Sequence, residues 1–171
     1  MELLHDWHDF YVLMGTAAAT LIGLMFVAAS IGAGLFTDEH KDMMKTFLTP
    51  TIIHFCTVLF ICLSVTVPSP TLITLGGFLA LASAVGIAYS CSVWMRLRSR
   101  YGSVTTFVDQ LWYAPIPIMG YLALAAAAFV FLTRFSSIPL GWIAIAMSVL
   151  LLAGIRNAWA MTLWIAIQPK R

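Results

Sequence analysis

The run FYVLMGTAAATLIGLMFVAASIGAGLFT, residues 10–37, decides how this chain folds. It holds 28 residues without one charged side chain. A helix needs only about 20 mostly apolar residues to cross a hydrocarbon core roughly 30 Å thick. The run is long enough to span a membrane once, as residues 10–36, and four more stretches match it: 46–67, 71–95, 111–133 and 138–160. The separators are a charged segment at 38–45, the turn Pro68-Ser69-Pro70, a basic stretch at 96–110, and residues 134–137. The apolar runs are too continuous for the alternation of a β-barrel. The expected fold is therefore all-α: one polytopic transmembrane domain over residues 1–171, built as a bundle of five spans.

Composition leads to the same place. Hydrophobic residues make up 61% of the 171 and charged residues only 9%, against about 25% charged in a typical soluble protein. Nine Lys/Arg and seven Asp/Glu cannot cover a soluble surface of this size. The mean hydropathy is +0.96. A net charge of +2 is too small for a nucleic-acid surface, and three cysteines without a CxxC do not make a disulfide framework. The first run is not read as a cleaved signal, because residues 1–9 lack Lys and Arg and the run far exceeds a signal's core of about 7–15 residues.

Five spans put the termini on opposite sides. One side carries a single Lys/Arg, Arg134; the other carries seven: Lys41, Lys45, Arg96, Arg98, Arg100, Lys170 and Arg171. The positive-inside rule then places the N-terminus outside and the C-terminus in the cytoplasm of a bacterial inner membrane. Trp7, Tyr11 and Trp142 are expected as an outer aromatic belt, and Trp94, Trp112, Tyr113 and Trp159 as an inner one.

Small residues recur at spacing four: Gly15, Ala19 and Gly23 in the first span, and Gly76, Ala80, Ala84, Ala88 and Ser92 in the third. Such rows let helix backbones approach closely where lipid offers no hydrophobic drive. Packing within one subunit is the expected use, a seam between subunits the other.

Few residues could carry chemistry. His54 lies eight residues into the second span, about 12 Å deep at 1.5 Å per residue. Pro50 leaves the carbonyl of Thr46 without its helical donor. An intramembrane histidine suggests a proton relay or permeation path, but an imidazole bonded to a neighbouring helix is the plainer reading. The remaining histidines, His5, His8 and His40, lie outside the spans, which argues against bis-histidine haem. Arg156 lies 18 residues from Ile138, about 27 Å along, where it can snorkel toward water. Asp109 is its expected ion-pair partner, and Asn157 completes the intramembrane polar set. His5, His8 and Asp9 would share a helical face and are a candidate for zinc or copper, yet three ligands on a chain end fall short of a closed site. Cys56, Cys62 and Cys91 read as small apolar side chains. No cofactor is expected, and no catalytic constellation emerges: no Ser/His/Asp set, HExxH or phosphate loop.

The stretch Gly15-Thr16-Ala17-Ala18-Ala19-Thr20-Leu21-Ile22-Gly23-Leu24-Met25-Phe26-Val27-Ala28-Ala29-Ser30 resembles the first helix of small multi-pass bacterial inner-membrane proteins of unknown function. Asn157-Ala158-Trp159 after Arg156 is similar to a polar-aromatic signature near the end of such chains. Some members are labelled modulators of the FtsH membrane protease; the resemblance implies no reaction and no ligand. The expected function is a non-catalytic membrane interaction subunit. Its partners would be the lipid bilayer and a second copy or another membrane protein, with no nucleic acid. The alternative is a small homo-oligomeric channel or transporter with a path near His54.

Overall fold

The computed structural model describes residues 7–31, 41–67, 71–100, 106–134 and 139–167. Among them the secondary structure is helical throughout: α1 (His8–Ile31), α2 (Lys41–Thr66), α3 (Leu72–Arg100), the short α4 (Phe107–Tyr113), α5 (Pro115–Arg134) and α6 (Pro139–Ile167). Five helical segments are long and apolar enough to cross a membrane, with α4 and α5 together forming the fourth. The protein is a multi-pass membrane helix bundle. Residues 1–6, 68–70 and 168–171, which include His5, the Pro-Ser-Pro turn and the terminal basic pair, lie outside the described residues.

The fourth crossing breaks for a sequence reason. Pro115 and Pro117 have no N–H, so the carbonyls of Leu111 and Tyr113 lose their helical donors. Ala114 takes φ −138° and ψ −61°, and the helix restarts with Pro115 at its first position, where a missing N–H costs nothing. Ile118 N–H donates to the Ala114 carbonyl at 2.9 Å to begin α5. At the other end of α4, Thr106 caps the helix by accepting from Asp109 N–H at 3.2 Å.

The helices are apolar all round, so hydrophobicity does not select which face turns inward. α2 is the most buried of the five crossings and α1 the least. α3 packs chiefly on α5, α1 on α2, and α6 on both α5 and α2. Two apolar clusters stack along the bundle. One joins Tyr11, Ile61, Leu79, Leu124 and Met147 among others; the second gathers Met25, Phe47, Phe55, Leu97, Tyr113 and Met161. Hydroxyls on the outer surface turn back onto their own helix. Thr16, Thr20 and Ser30 each donate to the carbonyl four residues earlier at 2.8 Å, which removes a bare donor from lipid.

The expected packing rows need correction. Gly15 is buried against the Cys62 side chain and Gly76 against Phe131 and Leu132; Ala80 is half-buried. Ala19, Gly23, Ala84 and Ala88 face outward. A step of four residues advances about 40° beyond a full turn, so a row at that spacing walks off the contact face within two or three steps. The face that α3 buries is Leu79, Ser83, Gly86, Ser90, Val93 and Leu97, alternating steps of four and three. That seven-residue repeat belongs to the left-handed packing of coiled coils, not to the right-handed crossing of spacing-four rows.

The aromatic belt also changes. Trp142 and Trp159 are exposed, as interface anchors should be, but Tyr11 is 0% exposed and Tyr113 is buried. Tyr11 Oη donates to the Leu140 carbonyl at 2.9 Å, tying α1 to the start of α6. A phenol can thus serve as an interhelical bond as readily as an interface anchor, and its partner is set only by packing.

Candidate functional site

His54 is 1% exposed, on α2 just before Phe55 of one apolar cluster and one turn before Val58 of the other. Its Nδ1 lies 2.9 Å from the hydroxyl of Tyr121 on α5. That hydroxyl is also 3.4 Å from Thr57 Oγ1, and Thr57 donates to the Ile53 carbonyl at 2.9 Å. The Tyr121 ring fits because α3 presents Gly86, where a Cβ would overlap the ring. Three helices therefore build the centre: α2 supplies the imidazole and Thr57, α5 the phenol, α3 the space. His54 Nε2 is buried with no hydrogen-bond partner among the described residues.

Neither Tyr121 nor Gly86 emerges from the sequence as part of a site. A signal was present. Tyr121 lies ten residues from Leu111, about 15 Å into its crossing, and His54 about 12 Å into a crossing that starts from the same side. A mid-span phenol needs a hydrogen-bond partner, and an imidazole at matched depth is one.

The second polar cluster sits where α4 crosses α6. Arg156 Nη2 donates to Asp109 Oδ1 at 2.6 Å, each side chain 30% exposed. Thr106 Oγ1 donates to the other carboxylate oxygen, Oδ2, at 2.6 Å. The Arg156 guanidinium also lies over the Trp112 ring, 5.8 Å from its centroid. Asn157, wholly buried, donates from Nδ2 to the Trp112 carbonyl at 3.3 Å, within the stretch of backbone that the two prolines interrupt. The structure thus joins Arg156, Asn157 and Asp109 in one clasp and places His54 elsewhere. Carboxylate, guanidinium and amide all serve to hold a broken helix against its neighbour.

His8 begins α1 and Asp9 follows it, while His5 lies outside the described residues. Among the described residues no three His, Cys, Asp or Glu side chains gather as a metal site. The three cysteines are free; Cys62 is buried, Cys56 and Cys91 exposed.

Five apolar crossings around a small polar centre define a multi-pass α-helical membrane protein. No protein-family model matches the chain, and no curated protein and no solved structure matches it either.

Proposed function

We propose that this protein is a non-catalytic interaction subunit of a bacterial inner membrane, assembling with itself or with another membrane protein. One observation carries the reading: Ala19 and Gly23 on α1, and Ala84 and Ala88 on α3, face away from the bundle's own core. In lipid, small side chains favour helix association by letting backbones come close. On these two least-buried crossings that capacity is left for a helix from outside the subunit. The likeness of the first span to small multi-pass proteins, some labelled as protease modulators, supports an accessory role. Seven Lys/Arg against one in the segments outside the spans support an outside N-terminus.

A conducting path near His54, the competing proposal, requires that imidazole to meet water in a continuous channel. Within one subunit it is 1% exposed and bonded to Tyr121, and the hydroxyl series ends on a backbone carbonyl. That arrangement suits interhelical bonding better than transfer.

The test is assembly in lipid. Reconstituted at a range of protein-to-lipid ratios, the wild type should give oligomers by single-molecule photobleaching, and Gly23→Leu or Ala84→Leu should shift them toward monomer. A wild type that stays monomeric and co-purifies with no membrane protein, yet passes ions in vesicles, would overturn the reading in favour of the channel. Orientation has its own check. In a background lacking Cys56, Cys62 and Cys91, a cysteine at His5 should react with a membrane-impermeant thiol reagent in intact cells, and one at Ser99 should not. The opposite labelling would reject the charge argument.

A further inference from the structure

The protons around His54 can be placed by elimination. Thr57 spends its hydroxyl proton on the Ile53 carbonyl at 2.9 Å, so toward Tyr121 its oxygen can only accept. The Tyr121 hydroxyl has one proton and two neighbours, Thr57 Oγ1 at 3.4 Å and His54 Nδ1 at 2.9 Å. If Tyr121 donates to Nδ1, two acceptor oxygens face each other across 3.4 Å, and Nε2 carries a buried N–H with no acceptor among the described residues. If Nδ1–H donates to Tyr121 and Tyr121 donates to Thr57, every proton in the series is used. What remains is a bare lone pair on Nε2, and an under-used acceptor is the more tolerable remainder than an orphaned donor.

A second buried polar atom completes the picture. Ser90 is 1% exposed and its hydroxyl has no partner among the described residues. It lies on α3 four residues beyond Gly86, the residue against the Tyr121 ring, and side chains four apart on a helix share a face. α3 thus presents a free hydroxyl one turn from the contact that positions the phenol, and α2 presents the free Nε2 of an imidazole whose Nδ1 is bonded to that same phenol.

We propose that His54 is held as the Nδ1–H tautomer and that its Nε2 lone pair binds an internal water molecule, with the Ser90 hydroxyl as that water's second partner. The water donates one proton to Nε2 and accepts from Ser90 O–H, which satisfies two buried groups. Internal waters typically hold such positions with 2–4 hydrogen bonds. The imidazole stays neutral, since a charged ring buried without a counter-ion is strongly disfavoured. The proposal concerns the interior of one subunit and stands or falls independently of assembly.

The experiment uses the full chain with His5, His8 and His40 changed to Gln, which leaves His54 as the single histidine. Labelled with nitrogen-15 histidine in lipid nanodiscs at neutral pH, it should show a protonated Nδ1 and a bare Nε2. A water cross-relaxation peak should appear at the ring Hε1. Ser90→Ala should keep the tautomer and lose the water peak. Tyr121→Phe should abolish the single-tautomer signal, leaving a mixture. A protonated Nε2 in the parent would overturn the tautomer and with it the site. A bare Nε2 without a water peak would overturn the bound water, and a water peak unchanged in Ser90→Ala would overturn the second partner. The parent spectrum decides the first two points even if a variant fails to fold.

Discussion

The two faces of α3 use the same small residues for opposite ends. On the inward face, Gly86 lies against the Tyr121 ring and lets α5 close in. On the outward face, Ala84 and Ala88 are exposed. Glycine and alanine permit close approach on either face, but a gap stabilises nothing until a particular side chain fills it. Tyr121 does so inside the bundle, and its hydroxyl then reaches His54. What distinguishes the faces is the partner, not the small residues.

The sharpest way to break this contrast is to fill both gaps with the same side chain. Gly86→Leu drives a branched chain into the Tyr121 ring and should lower stability by about 3 kcal/mol, the upper end for overpacking. Thermal unfolding in detergent followed by circular dichroism measures it. Tyr121→Ala in the same chain should recover part of the loss, because it removes the overlapped atoms. Equal instability of the single and double variants would show that Gly86 matters for some reason other than the phenol.

The polar clasp and the polar centre extend the comparison to smaller effects. Asp109→Ala removes both the Arg156 ion pair and the Thr106 hydroxyl contact. With both side chains partly exposed, the expected loss is about 1 kcal/mol, diminishing as salt is raised. A loss that does not respond to salt would assign the role of Asp109 to the α4 cap alone. His54→Leu takes away one interhelical hydrogen bond and should cost roughly 0.6–2 kcal/mol. Tyr121→Phe removes the same bond from the other side, and the double variant should cost little more than either single one. Additive losses would mean the two groups do not act as a pair.

Ala84→Leu completes the series with the smallest effect on the subunit itself, within about 0.5 kcal/mol, as for other surface changes. It should act on assembly alone. A drop in subunit stability close to that of Gly86→Leu would put Ala84 on a packed face and erase the difference between the two sides.

The clasp was easier to read from the sequence than the centre. Arg156 and Asp109 are two of few charges near the spans, and opposite charges at one membrane depth have little choice of partner. His54 had several hydroxyl-bearing candidates, and choosing Tyr121 required knowing that α3 and α5 close on each other at Gly86. Tyr11 shows the same limit: its position near a span end suits an interface anchor, yet the approach of α6 at Leu140 buries it.

The chain alone determined that it crosses a membrane five times as helices. That follows from run length and from the cost of an unbonded backbone in hydrocarbon, both local properties. The break before Pro115 falls inside the span expected over 111–133 and went unread there, although a missing N–H acts wherever the helix lies. Only the tertiary structure decided which face of each helix turns inward. In a soluble protein the apolar stripe answers that question, but here every face is apolar and water does no sorting. Shape did the sorting, through a seven-residue seam on α3, a phenol seated on a glycine, and an imidazole that met it.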